Sequence, residues 1–85
     1  MREYELSDNL KRILNKLNKK DKKGYEQIYK KIEEILNSID LSHYKNLRYD
    51  MKEYKRVHIG HFVLTFRIKG NTIYFEDFDH HDNIY

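Results

Sequence analysis

The hydrophobic period of the chain changes once along its length, from three-to-four residues to two, and that change separates a helical half from a strand half. Residues Met1–Leu6 stand apart: Tyr4 and Leu6 fall on one side and Glu3 and Glu5 on the other, the alternation of a short half-buried strand. Leu6, Leu10, Ile13, Leu14 and Leu17 then recur at three- and four-residue steps, forming one stripe with Lys11, Arg12, Asn15 and Lys16 outside it. Ser7 or Asp8 can cap this helix, because a short side-chain oxygen accepts from the unsatisfied N–H groups of the first turn, and the helix is expected to end near Asn18. Asp21 offers the next cap, and Tyr25, Ile28, Ile32, Ile35, Leu36 and Ile39 repeat with helical spacing beyond it. A connection of about three residues folds the two helices back into an antiparallel hairpin whose stripes face one common layer. Gly24 reads as a minor cost inside the second helix.

Asp40, Leu41, Ser42 and His43 break the helical pattern, and period two follows. Tyr54, Arg56 and His58 alternate with Lys55, Val57 and Ile59, so a strand there carries a polar, partly basic row on one face. Gly60 and His61 supply a tight turn into a second strand, where Phe62, Leu64, Phe66 and Ile68 alternate with Val63, Thr65 and Arg67. Lys69-Gly70-Asn71 is a hairpin turn, since Gly and Asn tolerate positive φ, and Thr72 to Phe78 forms the next strand. The expected fold is α+β: a short N-terminal strand, then an antiparallel two-helix hairpin packed on one face of a small antiparallel sheet, the other face left for solvent or a ligand. Residues 1–85 read as a single domain, with no internal repeat, linker or low-complexity tract.

Composition narrows the function classes. A chain of 85 residues buries only about 60–65% of the surface it exposes when unfolded, so its stability is marginal. It has no cysteine, which excludes disulfides, zinc ribbons and thiol catalysis and fits a reducing compartment, so a cytoplasmic protein is expected. No apolar run approaches the ~18–20 residues that span a bilayer, and the first ten residues contain no apolar h-region, so neither membrane attachment nor a signal peptide is expected. The net charge of +3 says less than its distribution. Lys11, Arg12, Lys16, Lys19, Lys20, Lys22 and Lys23 face Asp21 alone, whereas Glu76, Asp77, Asp79 and Asp82 face no Lys or Arg in their stretch.

The uncovered sheet face gathers Tyr54, Arg56, His58 and Arg67, with His61 at the turn beside them. Any one of these alone is an ordinary solvent-facing residue. Together, imidazoles that titrate near neutrality and fixed guanidinium charge are what RNA cleavage needs: a proton acceptor for the 2′-hydroxyl, a donor for the leaving 5′-oxygen, and a cation on the phosphate. The segment Asp79-His80-His81-Asp82-Asn83-Ile84-Tyr85 adds two imidazoles and a tyrosine hydroxyl, although such a tail also suits a solvated end with Tyr85 packed on a helix. His58, His61, His80, His81 and Asp82 include the ligand types of a zinc or nickel site, but strand spacing does not pre-form one, so no metal and no other cofactor is expected.

The order of a short strand, two helices and antiparallel strands, with Tyr54-Lys-Arg-Val-His-Ile-Gly60-His-Phe-Val-Leu-Thr-Phe66 leading to His80-His81-Asp-Asn-Ile-Tyr85, resembles the RelE/ParE toxin superfamily over nearly the whole chain. The resemblance implies a toxin of a type II toxin–antitoxin system, a metal-independent endoribonuclease that cuts mRNA on the ribosome by 2′-hydroxyl attack with histidine acid/base catalysis. It implies a cognate antitoxin, expected to be small, partly disordered and net acidic, whose helix docks on the surface offered by the two helices and the sheet edge. Arg56 and His58 fall where related toxins place basic residues, and His81 with Tyr85 resembles the catalytic pair of the YafQ-like branch, so these four are the expected catalytic residues. Tyr54, Lys55, His61 and Arg67 are expected to hold substrate, with His61 near that branch's active-site acid.

The chain also departs from the family pattern. Val63 occupies the place of a phosphate-binding arginine in many RelE members, and Asp77 and Asp79 stand where related toxins often carry arginine. A preorganised cation there is worth ~3–4 kcal/mol, and Arg67 on the same strand face is expected to replace part of it. Two alternatives follow from the departures: a ParE-like toxin that inhibits gyrase by protein binding, and a toxin-fold protein without catalysis. Clustered His58, His61 and His81 favour the nuclease, whereas Val63 and the acidic terminus favour the other two.

Overall fold

A computed structural model of the chain describes residues 2–47 and 54–84, the side chains of His81 and Ile84 excepted. The elements run β1 (Glu3–Leu6), α1 (Asp8–Lys20), α2 (Lys22–Leu36), β2 (Lys45–Asn46), β3 (Tyr54–Ile59), β4 (Phe62–Lys69), β5 (Thr72–His80) and α3 (His81–Ile84). The five strands form one sheet in the order β1-β5-β4-β3-β2. Hairpin partners are antiparallel, but β1 joins the edge of β5 in parallel, Tyr4 opposite Ile73 and Leu6 opposite Phe75, so the sheet is mixed rather than wholly antiparallel. The reason is connectivity: β1 and β5 are not joined by a tight turn, and the two helices and the other strands intervene between them.

Ser7 is the cap of α1. Its Oγ accepts from the Leu10 N–H at 3.0 Å and donates to the Glu76 carbonyl, while its own N–H donates to the Phe75 carbonyl at 2.9 Å. One residue therefore ends β1, starts α1 and fastens both to β5. The helix runs two residues past Asn18, and the link to α2 shrinks to Asp21 alone, which closes α1 by donating its N–H to the Leu17 carbonyl and caps α2 by accepting from the Gly24 N–H at 3.1 Å. The second helix stops at Leu36, short of Ile39, which is 97% exposed and contributes nothing to the stripe. Arg2 spans this end of the fold, donating through its guanidinium to the carbonyls of Ser38 and Ile39.

The core lies between the hairpin and one sheet face. Leu10 and Leu14 of α1 and Ile28, Ile32, Ile35 and Leu36 of α2 pack with Leu64, Phe66, Ile73 and Phe75, all fully or almost fully buried. Tyr44 closes the β2 side with its ring edge-on to Phe66 at 5.6 Å. Gly60 and Gly70 turn the two hairpins at φ 64° and 61°, the left-handed region in which a Cβ is strained. The β4–β5 ladder shifts register between Thr65 and Phe66, leaving Glu76 as an extra residue that bulges on β5.

Gly24 has a tighter constraint than helix propensity alone suggests. A Cβ added there would sit 2.6 Å from the Asp21 Oδ2 that belongs to the cap. Replacing an exposed helical Gly by Ala ordinarily gains up to ~1 kcal/mol, and a lost Asp cap costs ~1 kcal/mol, so the two terms cancel. Gly24→Ala is therefore expected to change stability by under ~0.5 kcal/mol. In urea denaturation, Asp21→Ala should cost less in the Gly24→Ala background than in the parent; strict additivity would contradict this coupling.

Candidate functional site on the open sheet face

Strand alternation puts Leu64 and Phe66 under the helices and so turns Val63, Thr65 and Arg67 to the opposite face. Pairing then assembles three cross-strand rows on that face. His58 lies opposite Val63 and Val63 opposite Asp79. Lys45 lies opposite Arg56, then Thr65, then Asp77. Tyr54 lies opposite Arg67 and Arg67 opposite Tyr74. The face is polarised: its β2–β3 side carries Lys45, Arg56 and His58, and its β5–β1 side carries Asp77, Asp79 and Glu76 with Glu3 and Glu5 beyond. Val63 and Thr65, between the two halves, are buried although neither α1 nor α2 covers them.

Arg67 is planted rather than loose. Its guanidinium sits 4.8 Å from the Tyr74 ring centre and 6.0 Å from that of Tyr54, and its Nε lies 3.1 Å from Glu76 Oε1. That ion pair is about a third exposed on both sides, so it is worth under ~1 kcal/mol, and each ring adds ~0.5–1 kcal/mol. The sum is comparable with the ~1.5–3 kcal/mol of a hydrogen bond to a charged group, so Arg67 gives up much of what a phosphate contact returns.

The C-terminal segment is not a free tail. After β5 the chain forms α3, which packs against β4 and β5. Asp79 organises this turn: its Oδ1 accepts from the His80 N–H at 2.7 Å and from the Asn83 amide at 3.1 Å. The Asn83 hydrogen bond first, and the His80 N–H second, hold the Asp79 carboxyl below its ordinary pKa. His80 Nδ1 stands 3.4 Å from Asp82 Oδ2.

The expected site residues divide accordingly. Tyr54, Arg56, His58 and Arg67 share the open face, as their alternation requires. Lys55 does not: it lies opposite Phe66 on the helical side and its Nζ donates to Asn46 Oδ1 at 2.7 Å. His61 lines a groove between the helices and the β3–β4 turn, its ring 6.4 Å from that of His80. His81 begins α3, with its side chain outside the described atoms, and Tyr85 lies outside the described residues. Lys45 is the basic residue that period reading missed; β2 is too short for a periodic signal, and only its register with Arg56 reveals it. Among the described residues no group of three or more His, Asp or Glu is arranged to hold a metal ion, and no helix is long and apolar enough to cross a membrane.

A helical hairpin on one face of a five-stranded mixed sheet is the fold of the RelE/YafQ-like toxins. The structure matches YafQ from E. coli with a TM-score of 0.69 at 18% identity, covering 100% of this chain and 99% of that one. It also matches a conserved hypothetical protein of Helicobacter pylori with a TM-score of 0.58 at 15% identity, covering 96% and 97%. Residues 4–85 match the family described as the ParE toxin of the type II toxin-antitoxin system, parDE, and the chain belongs to that toxin family. It is 51% identical over 88 aligned residues to a Methanocaldococcus jannaschii protein named "Putative toxin RelE4", covering 100% of this chain and 92% of that protein. A Methanosarcina mazei protein is 49% identical over 73 residues, covering 82% and 83%. Membership implies a cognate antitoxin as partner.

The Asp79 hydrogen bonds carry a pH dependence with a defined sign. Its folded pKa is depressed, so its contribution is complete above the unfolded carboxylate value of ~3.9 and is lost as pH falls through the lower folded value. The side-chain amide resonances of Asn83 are expected to hold steady down to about pH 4 and to move below it. An NMR titration in which they move above pH 5 would contradict this role for Asp79.

Proposed function

We propose that this toxin is a metal-independent endoribonuclease that cuts mRNA, on the ribosome, by attack of the 2′-hydroxyl on the neighbouring phosphate. The observation that carries the reading is the register of Lys45, Arg56 and His58 on a sheet face that the two helices leave uncovered. A strand row of this kind offers fixed cations and an imidazole to one segment of backbone phosphate. In the proposed step an imidazole, assigned to His81, removes the 2′-hydroxyl proton and the 2′-oxygen bonds to phosphorus. The bond from phosphorus to the 5′-oxygen breaks, and that oxygen takes a proton from His58 or Tyr85. Arg56 meets the charge that grows on the non-bridging oxygens. The products are a 2′,3′-cyclic phosphate and a 5′-hydroxyl, so atoms and charge balance without a further reactant.

The acidic half of the face gives the RNA a direction. Asp77 and Asp79 repel phosphate, so the backbone is expected along β2–β3 with Tyr54 as a stacking surface at one end. Arg67 supports this path from a position already shared with Glu76 and two tyrosines, and it makes up only part of the charge missing at Val63. The modest net charge of +3 gives weak affinity for free RNA at physiological salt, which suits a substrate presented by the ribosome.

The same acidic strip, with the parDE description of the matched family, supports a second reading, gyrase inhibition by protein binding. An in vitro translation assay separates the two: cut messenger supports the nuclease, whereas intact messenger with blocked supercoiling supports the second. Within the nuclease reading, Arg56→Ala is expected to lower the cleavage rate by more than ~10-fold, from a lost phosphate contact of ~1.5–3 kcal/mol, and Arg67→Ala by less. His81→Ala should abolish cleavage with an unchanged circular dichroism spectrum. A wild-type rate in Arg56→Ala would remove that residue from the site, and inhibition by chelator that zinc restores would overturn the metal-free mechanism.

A further inference from the structure

A carboxylate at position 79 has the wrong sign for a phosphate ligand, and the structure commits it to the chain itself. Strand β5 ends at His80 and α3 begins at His81, with no loop residue between them. A helix of four residues does not hold its shape alone, and its first N–H groups lack intrahelical partners, so outside contacts must fix where it sits. Asp79 supplies them. Its Oδ1 takes the His80 N–H at 2.7 Å and the Asn83 side-chain amide at 3.1 Å, one donor from the residue before His81 and one from the second residue after it. A shorter contact lies inside this one, the Asp82 N–H donating to His80 Nδ1 at 3.3 Å. The acceptor is anchored to the sheet, because Asp79 pairs opposite the fully buried Val63 of β4, whereas Asn83 belongs to the exposed turn that it restrains.

We propose that Asp79 is a positioning residue for the cleavage reaction: through the His80 N–H and Asn83 it fixes the backbone of His81 against the end of the sheet, so that the imidazole assigned as base meets the 2′-hydroxyl. The role given to His81 rests on the nuclease reading, while the hold on the segment rests on the two hydrogen bonds alone. Asp79 acts only through the backbone it restrains. Its effect therefore falls on kcat, since a reacting group misplaced by about 1 Å can cost ~100-fold in rate. Binding of RNA depends on Lys45 and Arg56, on the β2–β3 half of the face, so KM is little changed. The requirement is for an acceptor rather than a charge. An asparagine oxygen can take the same two hydrogen bonds, whereas arginine carries donors only and would face two more donors.

The test measures kcat and KM of the full chain for messenger on programmed ribosomes. Asp79→Ala and Asp79→Arg are each expected to lower kcat at least ~10-fold with KM changed by less than ~3-fold. Asp79→Asn should keep kcat within ~3-fold of the wild type. Asn83→Ala, at an exposed position that the fold does not need, should also lower kcat and should add little to Asp79→Ala, because both remove one contact. A side chain that merely repelled phosphate would give the opposite result, a faster Asp79→Arg enzyme, and that outcome overturns the proposal. So does an equal loss in Asp79→Asn and Asp79→Ala. A second measurement needs no cleavage: backbone 15N relaxation of the free protein. Order parameters of His81, Asp82 and Asn83 should stay near ~0.85 in the wild type and Asp79→Asn and fall below ~0.6 in Asp79→Ala, with β4 unchanged. Undiminished order in Asp79→Ala would overturn the hold on α3 whether or not the wild type cuts RNA. A wild type that never cuts messenger, with α3 released in Asp79→Ala, would sink the nuclease reading and the catalytic role of Asp79 with it, and would leave the hold itself confirmed.

Discussion

The register of β4 is the constraint on which the rest of the molecule depends. This strand sits at the centre of the sheet, and its residues from Val63 to Phe66 are all buried. Leu64 and Phe66 complete the core beneath the helices, while Val63, Thr65 and Arg67 are the middle of each row on the open face. A one-residue slip would drive Arg67 and Thr65 into the core and turn Leu64 and Phe66 outward, exchanging the two surfaces at once. Exposing Leu64 and Phe66, at ~1.5–3 kcal/mol for each large apolar side chain, while burying the Arg67 charge in their place makes that slip far costlier than any surface pairing could repay. Fold and site are specified by the same alternation.

The bulge on β5 follows from that constraint. Phe75 must pack with Phe66 at a ring distance of 5.8 Å, and Asp77 must pair with Thr65, so one residue has to be accommodated between them. Glu76 is that residue, and the bulge delivers its carboxylate to Arg67 and its carbonyl to Ser7. The helical hairpin is thereby tied to the sheet at the point where the open face becomes acidic.

How much of this was legible follows the strength of the local signals. Both helices, the β3, β4 and β5 strands and both glycine turns announce themselves through long periodic runs and residues with special backbone freedom. Contacts between distant segments do not. The parallel partner of β1, the two-residue strand that brings Lys45 to Arg56, and the turn that Asp79 organises all depend on pairing that no local spacing encodes. Alternation put Tyr54, Arg56, His58 and Arg67 on one face correctly, but a turn residue such as His61 has no alternation to obey, and its ring settles beside His80 in the groove. Lys55 is read to its face by the same alternation, and that face is the helical one.

The charged face with Lys45, Arg56 and His58 lies on the opposite side of the sheet from the apolar groove lined by Ile13, Leu17, Ile28, Ile59, Phe62 and Phe78. The central claim is that the β2–β3 half of the open face holds RNA. An amide NMR titration with a short single-stranded RNA, made uncleavable by 2′-deoxy substitution, tests it directly. Shifts concentrated at Lys45, Arg56, His58 and Thr65, with Glu3 and Glu5 unmoved, are the predicted result. Shifts confined to the helical hairpin, or none at RNA concentrations up to the millimolar range, would contradict it.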